Sequence, residues 1–203
     1  MENNKQIKIR IRGGYSDRNN INPIDKTIQI DDFTKDTRIV LKNRIIRYLQ
    51  LYQYSLGMQD FEFENMMRIN LSQNLFNVPL NSEESNYSFL IAQVYNIFDN
   101  GTYNEILDVI EFMSDILYVR DFEAERRSYQ FNARFKVDLK KEFNKLFEIE
   151  CIGYRFVDGY ITKITNKEEI EAIESATNTK YNKINKHISK AVQCLSDRTN
   201  KDY

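Results

Sequence analysis

Apolar side chains along most of this chain recur every third or fourth position, the spacing that lays one stripe along an α-helix. The first stripe is Leu41, Ile45, Tyr48, Leu49, Tyr52 and Leu56, with Asp32 or Thr34 placed to cap its start and Gly57 to close it. A second, within 61–76, runs through Phe63, Met66, Met67, Leu71 and Leu75 until Val78-Pro79-Leu80 breaks it. Ser82 is placed to cap a third, carrying Tyr87, Leu90, Ile91, Val94 and Phe98 and ended by Asn100-Gly101. Thr102 opens a fourth with Tyr103, Ile106, Leu107, Ile110, Met113 and Leu117 on one face. Four amphipathic helices joined by short links form a bundle.

The same spacing predicts a fifth helix over 126–148, through Phe131, Phe135, Leu139, Phe143, Leu146 and Phe147. A sixth carries Ile170, Ile173 and Ala176, and a seventh, from about Thr179, carries Tyr181, Ile184, Ile188, Ala191 and Leu195. Period-two stretches are few. Gln6 to Arg12 alternates Ile7, Ile9 and Ile11 with Lys8, Arg10 and Arg12, as a sheet-edge strand with outward charges would. Thr27 to Ile30 is a candidate short extended segment. In 152–164, Asp158-Gly159 separates two runs of strand formers, the signature of a type I′ hairpin whose central residues both need positive φ. Thr165 with Glu168 three residues on is a capping box that starts a helix directly after it. The expected fold is mostly α (α+β): a helical bundle with a small β component that includes the hairpin at 152–164.

Composition narrows the class. The 203 residues contain six Gly, two Pro and no Trp, with 41% hydrophobic residues, enough for a core built from helices. Lys and Arg number 29 against 30 Asp and Glu, so bulk charge gives no general attraction to nucleic acid. Cys151 and Cys194 fit no metal or redox spacing and read as buried free thiols in a reducing cytosol. No apolar run has signal-peptide or membrane-spanning character, so the expected location is cytoplasmic with no membrane partner.

Candidate chemistry is sparse. The single histidine, His187, lies beside Ile184 and Ile188 and reads as structural. Without a second His or paired Cys, no zinc set is expected, and Gly13-Gly14 has neither the Lys nor the helix of a phosphate-binding loop. The expectation is no catalytic, metal or cofactor residue and no enzymatic activity. One local feature points elsewhere. Arg126, Arg127 and Arg134, with Arg155 on the hairpin, could give a helix-plus-wing surface for RNA or DNA backbones; the alternative is a solvated basic helix face.

Several segments resemble one family, the N-terminal domains of AbiJ-like abortive-infection proteins, which are bacterial phage-defence factors. The match begins with Tyr15-Ser16-Asp17-Arg18 and continues with Ile28-Gln29-Ile30. Arg38, Leu41 and Asn43 follow the family's Arg-x-x-Leu-Trp-Asn, with Lys42 in place of the tryptophan. Gly153, Tyr154, Arg155, Phe156, Asp158 and Gly159, followed by Glu168-Glu169-Ile170-Glu171-Ala172-Ile173, resemble its hairpin-helix signature. His187-Ile188, Ala191, Leu195-Ser196-Asp197-Arg198 and Asp202-Tyr203 resemble the start of the next module in that family.

The resemblance implies an N-terminal domain over 1–178. Residues 179–203 would be a linker helix and the truncated start of a HEPN-type module, in a truncated piece or a natural short form. In relatives that module often acts as a ribonuclease through an Arg-(four to six residues)-His motif, and no arginine precedes His187 at that spacing. The implied role is a non-catalytic sensor or regulatory domain that controls or positions a C-terminal HEPN-type effector. RNA and a second copy of the chain are further partners left open.

Overall fold

The computed structural model describes residues 12, 14–21, 23–25, 27–117, 119–123 and 134–164, of which 119–123 and 134–137 are described by backbone alone. A single helical turn, α1 (Tyr15–Arg18), precedes an irregular segment that leads to α2 (Lys35–Leu56). Next come α3 (Asp60–Asn70), running into a π turn at Leu71–Leu75, a 3₁₀ turn at Glu83–Ser85, α4 (Tyr87–Asn100) and α5 (Tyr103–Ile116). Strands β1 (Val119–Glu123) and β2 (Arg134–Val137), helix α6 (Leu139–Ile149) and strands β3 (Tyr154–Val157) and β4 (Tyr160–Lys163) complete the order. The fold is mostly helical with two small antiparallel ladders, β1–β2 and β3–β4.

The apolar stripes meet in one core. Helix α4 packs against α2, α3 and α5. Leu41 and Ile45, Leu90, Val94 and Phe98, and Ile106, Ile110 and Met113 are all fully enclosed. Phe143 and Phe147 bring α6 onto the same core. The ends follow local chemistry. Thr34 Oγ1 accepts the Thr37 N–H (3.3 Å) at the start of α2, and Gly57, at φ +62°, closes its end in the left-handed conformation. Thr102 and Glu105 form a reciprocal capping box on α5. Ser82 does not cap α4 as its position suggests. It precedes the 3₁₀ turn, and Asn86 is the cap, its side-chain oxygen accepting from Ser88 and Phe89 N–H. Within the π turn, the enclosed Ser72 hydroxyl has no hydrogen-bond partner.

The helix expected over 126–148 is shorter within the described residues, 126–133 lying outside them. Residues 134–137 are a strand paired to β1, and the helix starts only at Leu139, capped by Asp138, whose carboxylate accepts the Lys141 N–H at 3.2 Å. Phe135 therefore lies on a strand, and Phe131 lies outside the described residues. So do residues 6–11 of the strand expected over 6–12, whose last residue, Arg12, lies in a turn, and the sixth and seventh helices, Cys194 and His187.

The hairpin forms as its turn demands. Asp158 (φ +49°) and Gly159 (φ +97°) both occupy the left-handed region, and Val157 pairs with Tyr160 across them. Helices α5 and α6 then close its edges with side chains. Asn144 accepts the Phe156 N–H (2.6 Å) and donates to the Phe156 carbonyl (3.0 Å), acting as one residue of an extra strand. Glu111 accepts the Ile161 N–H (2.6 Å) on the other edge. Phe156 stacks on Phe147 with 6.3 Å between ring centroids, and Tyr154 stacks on Tyr103 at 6.2 Å.

Glu111 holds its contact at a cost. Burial first, then the charges of Asp115 and Asp108, raise its carboxyl above the usual 4.5, outweighing the Ile161 hydrogen bond and Lys140. A carboxyl with a raised folded-state pKa contributes stability below the unfolded value and loses it as pH rises through the folded one. Glu111→Gln keeps a carbonyl for Ile161 without the charge. The variant is expected to be the more stable protein at neutral pH, the difference fading on acidification and gone below about 4.5. Urea midpoints of both proteins across that pH range test this; a variant uniformly less stable would contradict it.

Candidate functional site

The densest polar chemistry lies where the segment before α2 crosses the junction between α6 and β3. Helix α6 ends in a Schellman-type turn: Ile152 N–H reaches the Phe147 carbonyl (2.8 Å) and Cys151 N–H the Glu148 carbonyl (3.2 Å). Cys151 takes the left-handed position at φ +54°, where glycine is usual. Its thiol is free and only half-buried, a correction to the expected buried one. The turn presents the Cys151 carbonyl and the Gly153 N–H to Gln29, which bonds both, at 2.7 and 2.9 Å, as a one-residue parallel bridge.

Gln29 also uses its whole side chain. Nε2 donates to the Glu150 carbonyl (2.7 Å) and to Thr37 Oγ1 (3.0 Å), and Oε1 accepts the Thr34 N–H (2.7 Å). The Thr37 hydroxyl donates to Glu150 Oε2 (3.3 Å). Arg12 completes the cluster: Nε meets Glu150 Oε2 at 2.9 Å, and Nη1 donates to the Asp25 carbonyl at 2.6 Å. The side chains of this ion pair are 7% and 5% exposed. Gly153 lets the segment lie this close, since a Cβ there would stand 3.0 Å from Ile30 Cγ1 and 3.1 Å from Ile28 Cγ2. Tyr154 adds a hydrogen bond from its hydroxyl to the Ile30 carbonyl (3.1 Å).

A cleft of 360 Å³ opens beside this cluster, lined by Arg12, Asp25, Thr27, Ile28, Gln29, Ile30, Asp31, Asp32 and Thr34. Its carboxylates are engaged within the domain. Asp25 accepts from the hydroxyl and N–H of Thr27, which hold its carboxyl below the usual carboxylate range. Asp32 accepts from Arg38 Nη2 at 2.6 Å, and that bond is the main cause of its lowered pKa. Asp31 lies 3.8 Å from Lys163 Nζ. Among the described residues, no group of three or more His, Cys, Asp or Glu could hold a metal ion.

The motif residues separate by place. Tyr15, Ser16 and Arg18 are exposed on α1, while Asp17 is buried and accepts the Ile24 N–H at 2.9 Å. Arg38 ties three elements, donating to the Phe33 and Gly101 carbonyls (2.9 and 2.6 Å) as well as to Asp32. Asn43 is exposed on α2. Lys42, beside it, reaches Asp99 on α4 at 2.6 Å. Gly153, Tyr154, Phe156, Asp158 and Gly159 build the hairpin and its packing.

Two of the four helix-plus-wing residues are placed by backbone or side chain. Arg126 and Arg127 fall outside the described residues, and Arg134 is on a strand rather than a helix. Arg155 Nη1 donates to the Ile152 and Tyr154 carbonyls, at 2.8 and 2.7 Å, and so serves the hairpin's own backbone. Sequence reasoning missed the buried cluster altogether. Its members are far apart in the chain, and only the short extended stretch around Gln29 hints at a partner strand.

The geometry defines a mostly helical domain with a small β-hairpin, its leading segment tied to the α6–β3 junction by a buried polar cluster. A family model, AbiJ N-terminal domain 4, matches residues 13–179, and the chain belongs to that family of abortive-infection-associated domains. Neither curated proteins nor solved structures gave a match. No helix of the described residues is long and apolar enough to cross a membrane.

Removing one half of a buried ion pair strands the other charge, a loss of about 3–5 kcal/mol, whereas removing both is far milder. Arg12→Met is expected to cost that much, and Arg12→Met/Glu150→Gln to recover most of it, in urea unfolding. Additive losses would show that the pair is not coupled.

Proposed function

We propose that this domain is the regulatory half of a bacterial phage-defence protein, and that it holds and controls a HEPN-type ribonuclease module carried by the chain beyond it. The domain spans 1–178 in this reading, with 179–203 as linker helix and start of the effector. It makes no bonds and breaks none itself, and it works in the cytoplasm.

Membership in the abortive-infection family supports the setting. The observation that carries the regulatory role is a continuous run of hydrogen bonds from the leading segment to the outgoing chain. Arg12 holds Glu150, Gln29 bonds the Glu150 and Cys151 carbonyls, and the Gln29 carbonyl accepts from Gly153. The Gly153 carbonyl in turn accepts the Ile164 N–H at 2.9 Å, the last described residue before the chain leaves the hairpin. A signal that displaces the leading segment therefore displaces the hairpin and the chain attached to it. Coupling between sites is carried by packed elements and hydrogen-bond networks, and this seam is such a network.

The expected outcome is that the purified chain leaves RNA intact, that His187→Ala changes nothing, and that cleavage requires the longer protein. In the longer protein Arg12→Met/Glu150→Gln should shift the trigger threshold of cleavage while the effector's maximal rate is kept. Hydrolysis of a phosphodiester by this chain alone would end the reading, as would regulation indifferent to that double substitution.

A further inference from the structure

The extended segment around Gln29 has two edges, and one of them is largely open. Gln29 turns its backbone N–H and carbonyl to the α6–β3 junction, where Cys151 and Gly153 meet them. Backbone groups of successive residues in an extended chain point to opposite sides, so Ile28 and Ile30 turn theirs away from that junction. The Ile30 carbonyl accepts the Tyr154 hydroxyl. The Ile28 N–H, the Ile28 carbonyl and the Ile30 N–H have no hydrogen-bond partner among the described residues. The 360 Å³ cleft lies on this side: its described lining is the leading segment with Arg12 and Asp25, and none of it comes from α6 or the hairpin. A donor and an acceptor on one residue, with a donor two residues on, is what an added strand pairs with. Asn144 and Glu111 close such positions on the hairpin, and nothing described closes them here.

We propose that this edge docks an extended segment of another protein in which apolar and basic residues alternate. Such a segment adds as a strand along 27–31 and takes both backbone groups of Ile28. Its composition follows from the side chains beside the edge, because cross-strand neighbours share a face. Ile28 and Ile30 share one face, and Ile28 is 48% exposed in the cleft, a wall for an apolar neighbour. Thr27 and Asp31 share the other, and the Asp31 side chain is 82% exposed. Asp25 and Asp32 line the same cleft. The contacts of these three carboxylates within the domain fall on Oδ1: Thr27 on Asp25, Phe33 and Arg38 on Asp32, and Lys163 on Asp31. Each Oδ2 is left to meet an incoming Lys or Arg, while the Arg12 guanidinium is spent on Glu150. The same charges disfavour a second copy of this edge, which would set aspartate against aspartate. The docking goes beyond the regulatory reading, giving the leading segment an input, and it needs no effector, so either idea can fail alone.

Fluorescence anisotropy tests this with the whole chain and a labelled peptide of about eight residues alternating Lys and Val. The peptide is expected to bind at low salt, and a Glu/Val counterpart is not. Ile28→Pro removes the edge N–H while keeping a φ that an extended chain allows, and Asp31→Lys reverses the charge beside it. Each should weaken binding by roughly tenfold or more at an unchanged urea midpoint. If Ile28→Pro unfolds, the peptide decides. N-methylation of alternate residues should abolish binding in one register and spare it in the other. No binding at low salt, or binding indifferent to N-methylation in both registers, overturns the proposal. Binding that appears only in Ile7→Glu/Ile9→Glu would show the edge filled by this chain's own 6–12 segment. Self-association in sedimentation, lost in Ile28→Pro, would show a second copy on it. Either outcome overturns the proposed partner.

Discussion

A single buried amide fixes how the two parts of this domain sit. Gln29 makes hydrogen bonds through its backbone N–H and carbonyl and through both ends of its side chain, and its partners come from α2 and from the α6–β3 junction. Burying a polar group is tolerable only when its hydrogen-bonding capacity is met, and each partner here is itself at a site where few geometries serve. Glu150 sharpens the constraint. A carboxylate at the C-terminal end of a helix opposes the helix dipole, and burial adds a desolvation cost. The Arg12 guanidinium and the Thr37 hydroxyl offset both. Such a cluster adds little net stability but admits one register only, because a slip by a residue would leave several groups unmatched at once.

The local elements were legible because each was signalled by residues close in sequence. Thr34 and Gly57 bracket α2, Thr102 with Glu105 starts α5, and Asp158-Gly159 dictates its turn. The region around 126–148 misled for a physical reason. Phe131, Phe135, Leu139 and Phe143 repeat every four positions, which suits a helix, while Arg134-Phe135-Lys136-Val137 also alternates at strand period. Pairing with Val119–Glu123 decides between them, and that contact is invisible to a local window. The buried cluster was illegible for the same reason. Gln29 and Glu150 are 121 residues apart, and Cys151 adopts a glycine-like conformation with no glycine to announce it.

The arginines of the family-like motifs also change meaning once placed. In sequence, Arg155 reads as a candidate contact for nucleic-acid backbones and Arg38 as part of a family-like motif. Both instead donate to carbonyls of their own domain, Arg38 across the α4–α5 turn and Arg155 at the base of the hairpin. A guanidinium has five donors in a rigid fork, which suits it to gathering backbone carbonyls from several segments. Lys42 follows the same logic, linking α2 to α4 through Asp99 where the resemblance has an aromatic ring. Among the described motif residues, then, Asp17, Arg38, Arg155 and the hairpin positions specify architecture.

The side chains that close the hairpin's two edges carry a consequence for how this chain meets foreign strands. Exposed strand edges invite foreign strands to add on, and small sheets are prone to such growth. Asn144 answers both backbone groups of Phe156, and Glu111 occupies the Ile161 N–H. An incoming peptide would have to evict a fixed amide on one flank and a half-buried carboxylate on the other. Edge-to-edge accretion is thereby discouraged at these positions of β3 and β4.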